Sequence, residues 1–173
     1  EITAAADRLA GNDAWPKANL FMPSSVAQSP FAYFEAQAIG QKSGQNWEQW
    51  ELSKAAKGSF LINLGNTAPL MLGRNQAVVI HDAGVFDTPE SYSFAFRAWY
   101  RFLHKMLART GAQLLTVSEF SRGRIAAALG VAPEAIGVLP EGGDHMLRIP
   151  ADVSILARHG LEAGRYALVV GNP

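Results

Sequence analysis

The sequence predicts an α/β fold built on a doubly wound, mostly parallel sheet with helices on both faces. Short runs of branched apolar residues recur between residues 60 and 139 and alternate with helix-like segments through short loops, which is typical of βαβ units. Several of these runs stop abruptly at polar, titratable or glycine-rich residues. Buried parallel strands end in this way where ligands bind at the edge of the sheet.

The composition is that of one ordinary globular core, since 49% of the 173 residues are apolar and the formal net charge is zero. This balance gives no case for a nucleic-acid partner. The absence of cysteine excludes disulfides, thiolate metal sites and cysteine nucleophiles. No apolar stretch reaches the roughly 18 residues of a membrane span, and the first residues show no signal-peptide pattern. We therefore expect a cytoplasmic protein.

Apolar runs bounded by turn residues predict the strands, and periodic apolar spacing predicts the helices. The predicted strands cover residues 18–22, 60–64, 77–81, 113–118, 135–139 and 166–171. The predicted helices cover residues 2–9, 47–52, 88–110, 121–129 and 150–160. The long helix is expected to open at Thr88-Pro89-Glu90, which supplies an N-cap, a proline at the first position and an acid in the first turn, and to stop at Gly111.

Three consecutive predicted strands end in residues that can do chemistry. The first run, Ala77-Val78-Val79-Ile80, stops at His81-Asp82. The next runs into Ser118-Glu119, and the third runs into residues 140–145, which contain two glycines, two acids and a histidine. Parallel strands place their carboxyl ends at one edge of the sheet. The three ends are therefore expected to share one rim.

His81 is the leading catalytic candidate, as a general base or as a neutral hydrogen-bond donor to a phosphate or hydroxyl. The alternative is a histidine that only satisfies the end of a strand. Neighbours on an extended strand point to opposite faces, so Asp82 is expected to cap the following loop rather than orient His81.

Two other classes of function stay open on the residues alone. A metal-dependent hydrolase would combine His81 and Asp82 with Asp144 and His145, whose side chains suit zinc or manganese. A non-catalytic nucleotide- or ligand-binding module of the α/β type would need none of this chemistry. The sequence has neither a Gly-x-Gly-x-x-Gly fingerprint nor a P-loop lysine motif, which excludes the usual dinucleotide and nucleoside-triphosphate signatures.

Basic residues mark two segments. The helix over residues 92–110 carries Arg97, Arg101, Lys105 and Arg109 beside aromatic residues, with no acid between positions 91 and 118. Such a helix predicts peripheral contact with an anionic membrane surface, and the alternative is the solvated face of a packed helix. The helix after Ser118 brings Arg122 and Arg124 to a strand end, where they could hold an anion or simply be solvated.

Together these segments resemble the N-terminal domain of the bacterial retaining glycosyltransferases of family four. The resemblance covers roughly residues 44–173 and includes Trp47-Glu48-Gln49 and Asn66-Thr67-Ala68-Pro69. Its most specific motifs are His81-Asp82-Ala83, Tyr100-Arg101, Thr116-Val117-Ser118-Glu119-Phe120-Ser121-Arg122, Leu129-Gly130-Val131 and Val138-Leu139-Pro140-Glu141-Gly142-Gly143-Asp144.

The resemblance implies two Rossmann-like domains facing a cleft, the GT-B arrangement. Such an enzyme transfers a sugar, as mannosyltransferases do, from a nucleotide diphosphate sugar to a saccharide or lipid-linked acceptor in polysaccharide or glycolipid biosynthesis, with retention and without an essential metal or other cofactor. His81 would be the catalytic residue. The residues implied in the cleft are Asp82, Ser118, Glu119, Arg122, Glu141, Gly142, Gly143 and Asp144, and those implied on the acceptor side are Trp47, Glu48 and Asn66.

The chain departs from the family's pattern in three places. The family's first strand and its glycine-rich loop would precede Glu1, and its donor-binding half would follow Pro173. We therefore expect a fragment, with the N-terminal domain over residues 1–150 and a linker and first strand of the second domain over residues 151–173, inactive by itself. Glu141 also stands where the family commonly has asparagine.

Overall fold

The structure, a computed structural model, describes residues 18–26, 34–143, 147, 149–152 and 154–169. The chain divides into two compact units, Glu1–Glu141 and Gly142–Pro173. The helix predicted over residues 2–9 lies outside the described residues.

The described part of the first unit contains two parallel sheets. A small sheet pairs β1 (Asn19–Pro23) with β2 (Glu35–Ile39). The main sheet contains four parallel strands in the order β3-β4-β5-β6. These four strands are Leu61–Asn63, Gln76–Val79, Gln113–Thr116 and Ile136–Val138. The predicted α/β, Rossmann-like fold is thereby confirmed.

Helices connect and cover the main sheet. The first, α1, is continuous and consists of Gly44–Asn46, a π-helical segment Trp47–Leu52 and Ser53–Ala55. The others in the first unit are α2 (Gly84–Asp87), α3 (Phe94–Thr110) and α4 (Glu119–Leu129). Short 3-10 turns occur at Leu70–Leu72, Pro89–Ser91 and Pro133–Ala135.

The core lies between the main sheet and the two long helices. Val78, Leu114 and Ile136 lie in register on neighbouring strands. They form one buried cluster with Leu103 and Leu107 of α3 and with Ile125 of α4. Ala77 and Val79 alternate with Val78 and are buried as well, so β4 is covered on both faces. A strand buried on both faces needs a continuous apolar run, which is why residues 77–80 were recognisable in the sequence.

The long helix begins later than predicted. Thr88-Pro89-Glu90 opens a single 3-10 turn, and the chain then becomes extended at Tyr92. The N-cap of α3 is Ser93, whose hydroxyl accepts from the Phe96 N–H at 3.3 Å. Its end is as predicted, because Gly111 takes the left-handed conformation at φ +82° that closes a helix.

The fourth helix also differs from the prediction at its start. It begins at Glu119 rather than residue 121, because the Ser118 hydroxyl accepts from the Ser121 N–H at 3.1 Å and makes Ser118 the N-cap. Gly130, at φ +69°, closes it.

The second unit contains the short helix α5 (Ser154–Arg158), inside the predicted segment 150–160. The strand predicted over residues 166–171 is wrong for residues 166–169, which have no regular structure, while residues 170 and 171 lie outside the described residues. A strand is held by ladder hydrogen bonds to a neighbour, and the described part of this unit contains no strand to pair with.

Candidate functional site

His81 lies at the carboxyl end of β4, directly after the buried Ile80. Its main-chain N–H donates to Asn66 Oδ1 at 2.7 Å, and its ring Nε2 lies 2.8 Å from the Leu64 carbonyl oxygen. Because a carbonyl oxygen only accepts, Nε2 carries the hydrogen in this contact. Main chain and ring are therefore both fixed by the loop that follows β3.

Glu141 faces the other nitrogen of the His81 ring. Its Oε1 lies 3.2 Å from Nδ1, and 34% of the His81 side chain and 59% of the Glu141 side chain are exposed. Both ring nitrogens thus face acceptors, and the two hydrogen bonds form together only when the ring is the imidazolium cation. The Glu141 side is open to solvent, so an oxygen of a substrate can replace the carboxylate there.

Asn66 is the residue that holds this strand end together. Its main-chain N–H donates to the Val79 carbonyl at 3.0 Å, its Oδ1 accepts from His81, and its carbonyl accepts from His104 Nε2 at 2.8 Å. Its φ of +64° is positive, a conformation that asparagine tolerates better than most residues. One left-handed residue thereby links β4, His81 and α3.

His104 is a buried member of the same network that the sequence analysis missed. Its ring lies near Phe86 and Tyr100, and its Nδ1 has no hydrogen-bond partner among the described residues. Burial lowers the pKa of His104. The hydrogen bond to the Asn66 carbonyl and the charge of Asp82 raise this pKa, but by less. The pattern that could have indicated it is a histidine between Leu103 and Leu107 on the buried face of a helix.

The loop after Asn66 is held by α1. Thr67 Oγ1 donates to Glu48 Oε2 at 2.5 Å. The Gln49 amide donates to the Ala68 carbonyl at 2.9 Å and accepts from the Leu70 N–H at 3.0 Å. These contacts join Glu48 to the loop that carries Asn66, and the resemblance implies both residues on the acceptor side. The sequence analysis did not identify Thr67 and Gln49, which make the contacts.

Glu48 is a half-buried carboxyl group beside this loop. Burial raises its pKa above the ordinary value of 4.5, and the hydrogen bonds from Thr67 and Gln49 oppose that shift. Burial raises the pKa of the Tyr100 hydroxyl, and the charge of Glu48 adds to that shift. Trp47, the third acceptor-side residue, donates its indole N–H to the Ile39 carbonyl at 2.8 Å and holds the end of β2.

Asp82 caps the loop after β4, as predicted. Its Oδ1 accepts from the Gly84 N–H at 2.7 Å. A Cβ at Gly84 would lie 2.5 Å from the Tyr92 hydroxyl oxygen and 2.8 Å from Asp82 Oδ1, so a larger residue here would displace the ends of both side chains. No hydrogen bond joins the Asp82 and His81 side chains, both of which the structure describes.

The end of β5 is occupied by internal pairs. Ser118 Oγ accepts from the Ser121 N–H and donates to the Ser121 hydroxyl at 3.1 Å. Arg122 pairs with Glu119 one turn earlier. Arg124 makes a bidentate pair with Asp87, at 2.7 and 2.9 Å. Both cations considered for an anion site thus already have a carboxylate partner.

The third strand end is described only in part. Glu141 belongs to the first compact unit, and the exposed Gly142 and Gly143 begin the second. Asp144 and His145 lie outside the described residues, so the site predicted from them stays a prediction. Among the residues that the structure describes, no group of three or more histidine, aspartate and glutamate side chains is placed to hold a metal ion.

The predicted basic face of α3 divides into two halves. Arg97 donates to the Pro89 carbonyl at 3.1 Å, and Arg101 Nε donates to the Val85 carbonyl at 2.7 Å. These two cations brace the segment that precedes the helix. Lys105 and Arg109 are exposed, and neither has an ion-pair partner in the described part of the chain.

Comparison with protein-family models, with curated protein sequences and with solved structures finds no match to this chain. None of the helices in the described ranges is both long and apolar enough to cross a membrane.

Proposed function

We propose that this chain is the N-terminal, acceptor-side domain of a retaining glycosyltransferase of family four. It would take part in moving a sugar, mannose or a related hexose, from a nucleotide diphosphate sugar to a saccharide or lipid-linked acceptor. The motifs that carry the resemblance support this proposal. The observation that carries it furthest is His81 at a strand end, with its side chain 34% exposed, its main chain and ring Nε2 held by the loop after β3, and its ring Nδ1 facing Glu141.

The chemistry of sugar transfer suits this arrangement. Departure of a nucleotide diphosphate leaves positive charge on the anomeric carbon and negative charge on the phosphates, so the site needs fixed donors aimed at the leaving oxygens. A His81 ring with hydrogen on both nitrogens is such a donor, and an oxygen of the sugar, the phosphate or the acceptor can take the place of Glu141. When only Nε2 carries a hydrogen, Nδ1 instead offers a lone pair to a substrate hydroxyl, so the same geometry also fits a general base.

Glu141 would then be a competitor for the substrate at Nδ1. In the family this position is commonly asparagine, which is neutral and releases a histidine more readily than a carboxylate does. We place the reaction in the cytoplasm, at the inner surface of the membrane.

The direct test is an assay of the natural polypeptide that carries these 173 residues, with a panel of radiolabelled nucleotide sugars and lipid or saccharide acceptors. His81→Ala is expected to lower kcat/KM by about 100-fold or more, the effect of removing one fixed donor from a charge-stabilising site. His159→Ala, which removes an exposed histidine of the second unit, is the matched control and should retain full activity.

Three results would contradict the proposal. The first is no transfer from any donor, and the second is full activity in His81→Ala. The third is a product whose anomeric configuration, read by NMR, is inverted. Nucleotide binding that His81→Ala leaves unchanged, without transfer, would favour a non-catalytic module, and metal uptake that the same substitution weakens would favour the metal-dependent alternative.

A further inference from the structure

An exposed apolar patch lies where α1, α3 and the Leu70–Leu72 turn meet. We call its four residues, Trp50, Met71, Trp99 and Phe102, the aromatic patch. Three of them are strongly exposed, with 62% of Trp50, 66% of Met71 and 50% of Phe102 accessible. Trp50, Met71 and Trp99 line a largely apolar pocket of about 300 Å³. The rings of Trp99 and Phe102 have centroids 5.9 Å apart, which makes the patch continuous.

The patch is held in place by hydrogen bonds at its rim. The Trp99 indole N–H donates to Gln45 Oε1 at 3.1 Å and fixes the ring against α1. Gln49, another residue of the pocket wall, holds Leu70 from the other side. Large exposed apolar side chains that form one pocket are unusual on a soluble surface and indicate a binding face.

Cations continue the patch along α3. Phe102, Lys105 and Arg109 are spaced by three and four residues, so they lie on one face of the helix. At 1.5 Å per residue, Arg109 lies about 10 Å beyond Phe102 along the axis. Lys105 and Arg109 are the two basic residues of this helix that stay exposed without an ion pair in the described ranges, whereas Arg97 and Arg101 bind main-chain carbonyls.

Within the described ranges, no carboxylate forms an ion pair with Lys105 or Arg109. The sequence has no acid between positions 91 and 118. On the facing helix, Glu48 accepts from Thr67, and Glu51 accepts from the main-chain N–H groups of Gln41 and Lys42 at 3.1 and 2.9 Å. The face therefore presents aromatic rings and methionine beside uncompensated positive charge.

We propose that this face docks on a lipid bilayer that contains anionic headgroups. Trp99, Phe102 and Trp50 would enter the headgroup and acyl boundary, where aromatic rings are favoured. Lys105 and Arg109 would contact lipid phosphates, to which each basic residue near the surface is attracted. The anionic bilayer is favoured over a protein partner because the cations extend away from the pocket along a helix face. The docking does not depend on the proposed sugar transfer, and either can fail while the other holds.

The test is co-sedimentation of the 173-residue chain with vesicles. We expect binding to vesicles of phosphatidylcholine with phosphatidylglycerol and little binding to phosphatidylcholine alone. The double variant Lys105→Gln and Arg109→Gln should weaken binding by roughly 30-fold, from about 1 kcal/mol per basic residue. Lipids brominated in the acyl chain should quench tryptophan fluorescence, and Trp50→Phe should reduce that quenching.

The matched control is Phe120→Ser, which removes a ring that is 79% exposed on α4. It should bind vesicles like the wild type, whereas Trp50→Ser with Phe102→Ser should bind much more weakly. Circular dichroism checks that each variant is folded. The proposal is overturned if the wild type stays in the supernatant with anionic vesicles, if the charge variants bind equally well, or if neutral vesicles bind as tightly. A lipid-free dimer that Trp50→Ser with Phe102→Ser abolishes would assign the patch to self-association instead.

Discussion

Substitution of Asn66 tests whether one left-handed residue holds the His81 strand end. Asn66→Ala removes the acceptor of the His81 N–H and places alanine at φ +64°. The lost hydrogen bond contributes about 1 kcal/mol, and the left-handed conformation costs alanine about 1–2 kcal/mol. Together they predict a loss of about 2–3 kcal/mol in the free energy of unfolding.

Two further substitutions separate the two causes. Asn66→Gly loses the hydrogen bond but adopts the positive φ freely, so it should lie about 1 kcal/mol above Asn66→Ala in stability. Asn66→Asp keeps an acceptor oxygen and should lie within about 0.5 kcal/mol of the wild type. Asn75→Ala is the control, because Asn75 is exposed and its side chain makes no hydrogen bond in the described part of the chain.

The measurement is urea unfolding followed by circular dichroism, with the slope of the transition unchanged between variants. Equal stabilities of the alanine and glycine variants would refute the conformational argument. An aspartate variant as unstable as the alanine variant would show that Oδ1 does not hold His81 in solution.

Two other perturbations have clear expected outcomes. Burial raises the pKa of Glu48, so the folded state keeps this proton to a higher pH than the unfolded state and loses stability as the pH rises above 4.5. Glu48→Gln, which keeps an acceptor for Thr67, should therefore be more stable than the wild type in urea unfolding at pH 7, and this gain should vanish below pH 4.5. A gain that is the same at every pH, or one also seen in the exposed Glu90→Gln, would contradict this. Leu103→Ala, at a fully buried position, should lower the free energy of unfolding by about 2–5 kcal/mol. Phe102→Ala, at the half-exposed neighbouring position, should lower it by less than about 1 kcal/mol in the same assay. The reverse order would show that the buried face of α3 is assigned wrongly.

Local signals explain what could be predicted of the fold. Residues 77–80 form a continuous branched apolar run, which fits a strand buried on both faces. Gly111 and Gly130 follow helical sequence and close their helices in the left-handed conformation that favours glycine. Asp82 was expected to cap the following loop, because a strand points neighbours to opposite faces, and it does so. In each case a few adjacent residues decide the structure.

Contacts between distant segments explain what was missed. A threonine followed by a proline is typical of a helix start, but here Thr88-Pro89 opens a 3-10 turn and the helix begins after Ser93. Arg97 and Arg101 donate to the carbonyls of Pro89 and Val85 and so stabilise the segment before the helix. Because both guanidinium groups bind main-chain carbonyls, neither arginine belongs to the predicted membrane-binding face. Glu141 follows β6, which β5 separates from β4, and its carboxylate nevertheless lies beside the His81 ring. No local pattern reports such a pairing.

The loop from Leu64 to Leu70 connects the two functional faces proposed for this chain. Its first half holds His81 through the Leu64 carbonyl and Asn66. Its second half is bound by Gln49, which with Leu70 forms part of the wall of the apolar pocket at the aromatic patch. Four polar groups along it have partners on β4, α1 or α3, namely the Asn66 N–H and carbonyl, the Thr67 hydroxyl and the Ala68 carbonyl. These hydrogen bonds tie the loop to the elements on both sides of it. A bilayer docked on the aromatic patch would therefore meet His81 at a fixed separation, which is the geometry that an enzyme needs when its acceptor is anchored in that bilayer.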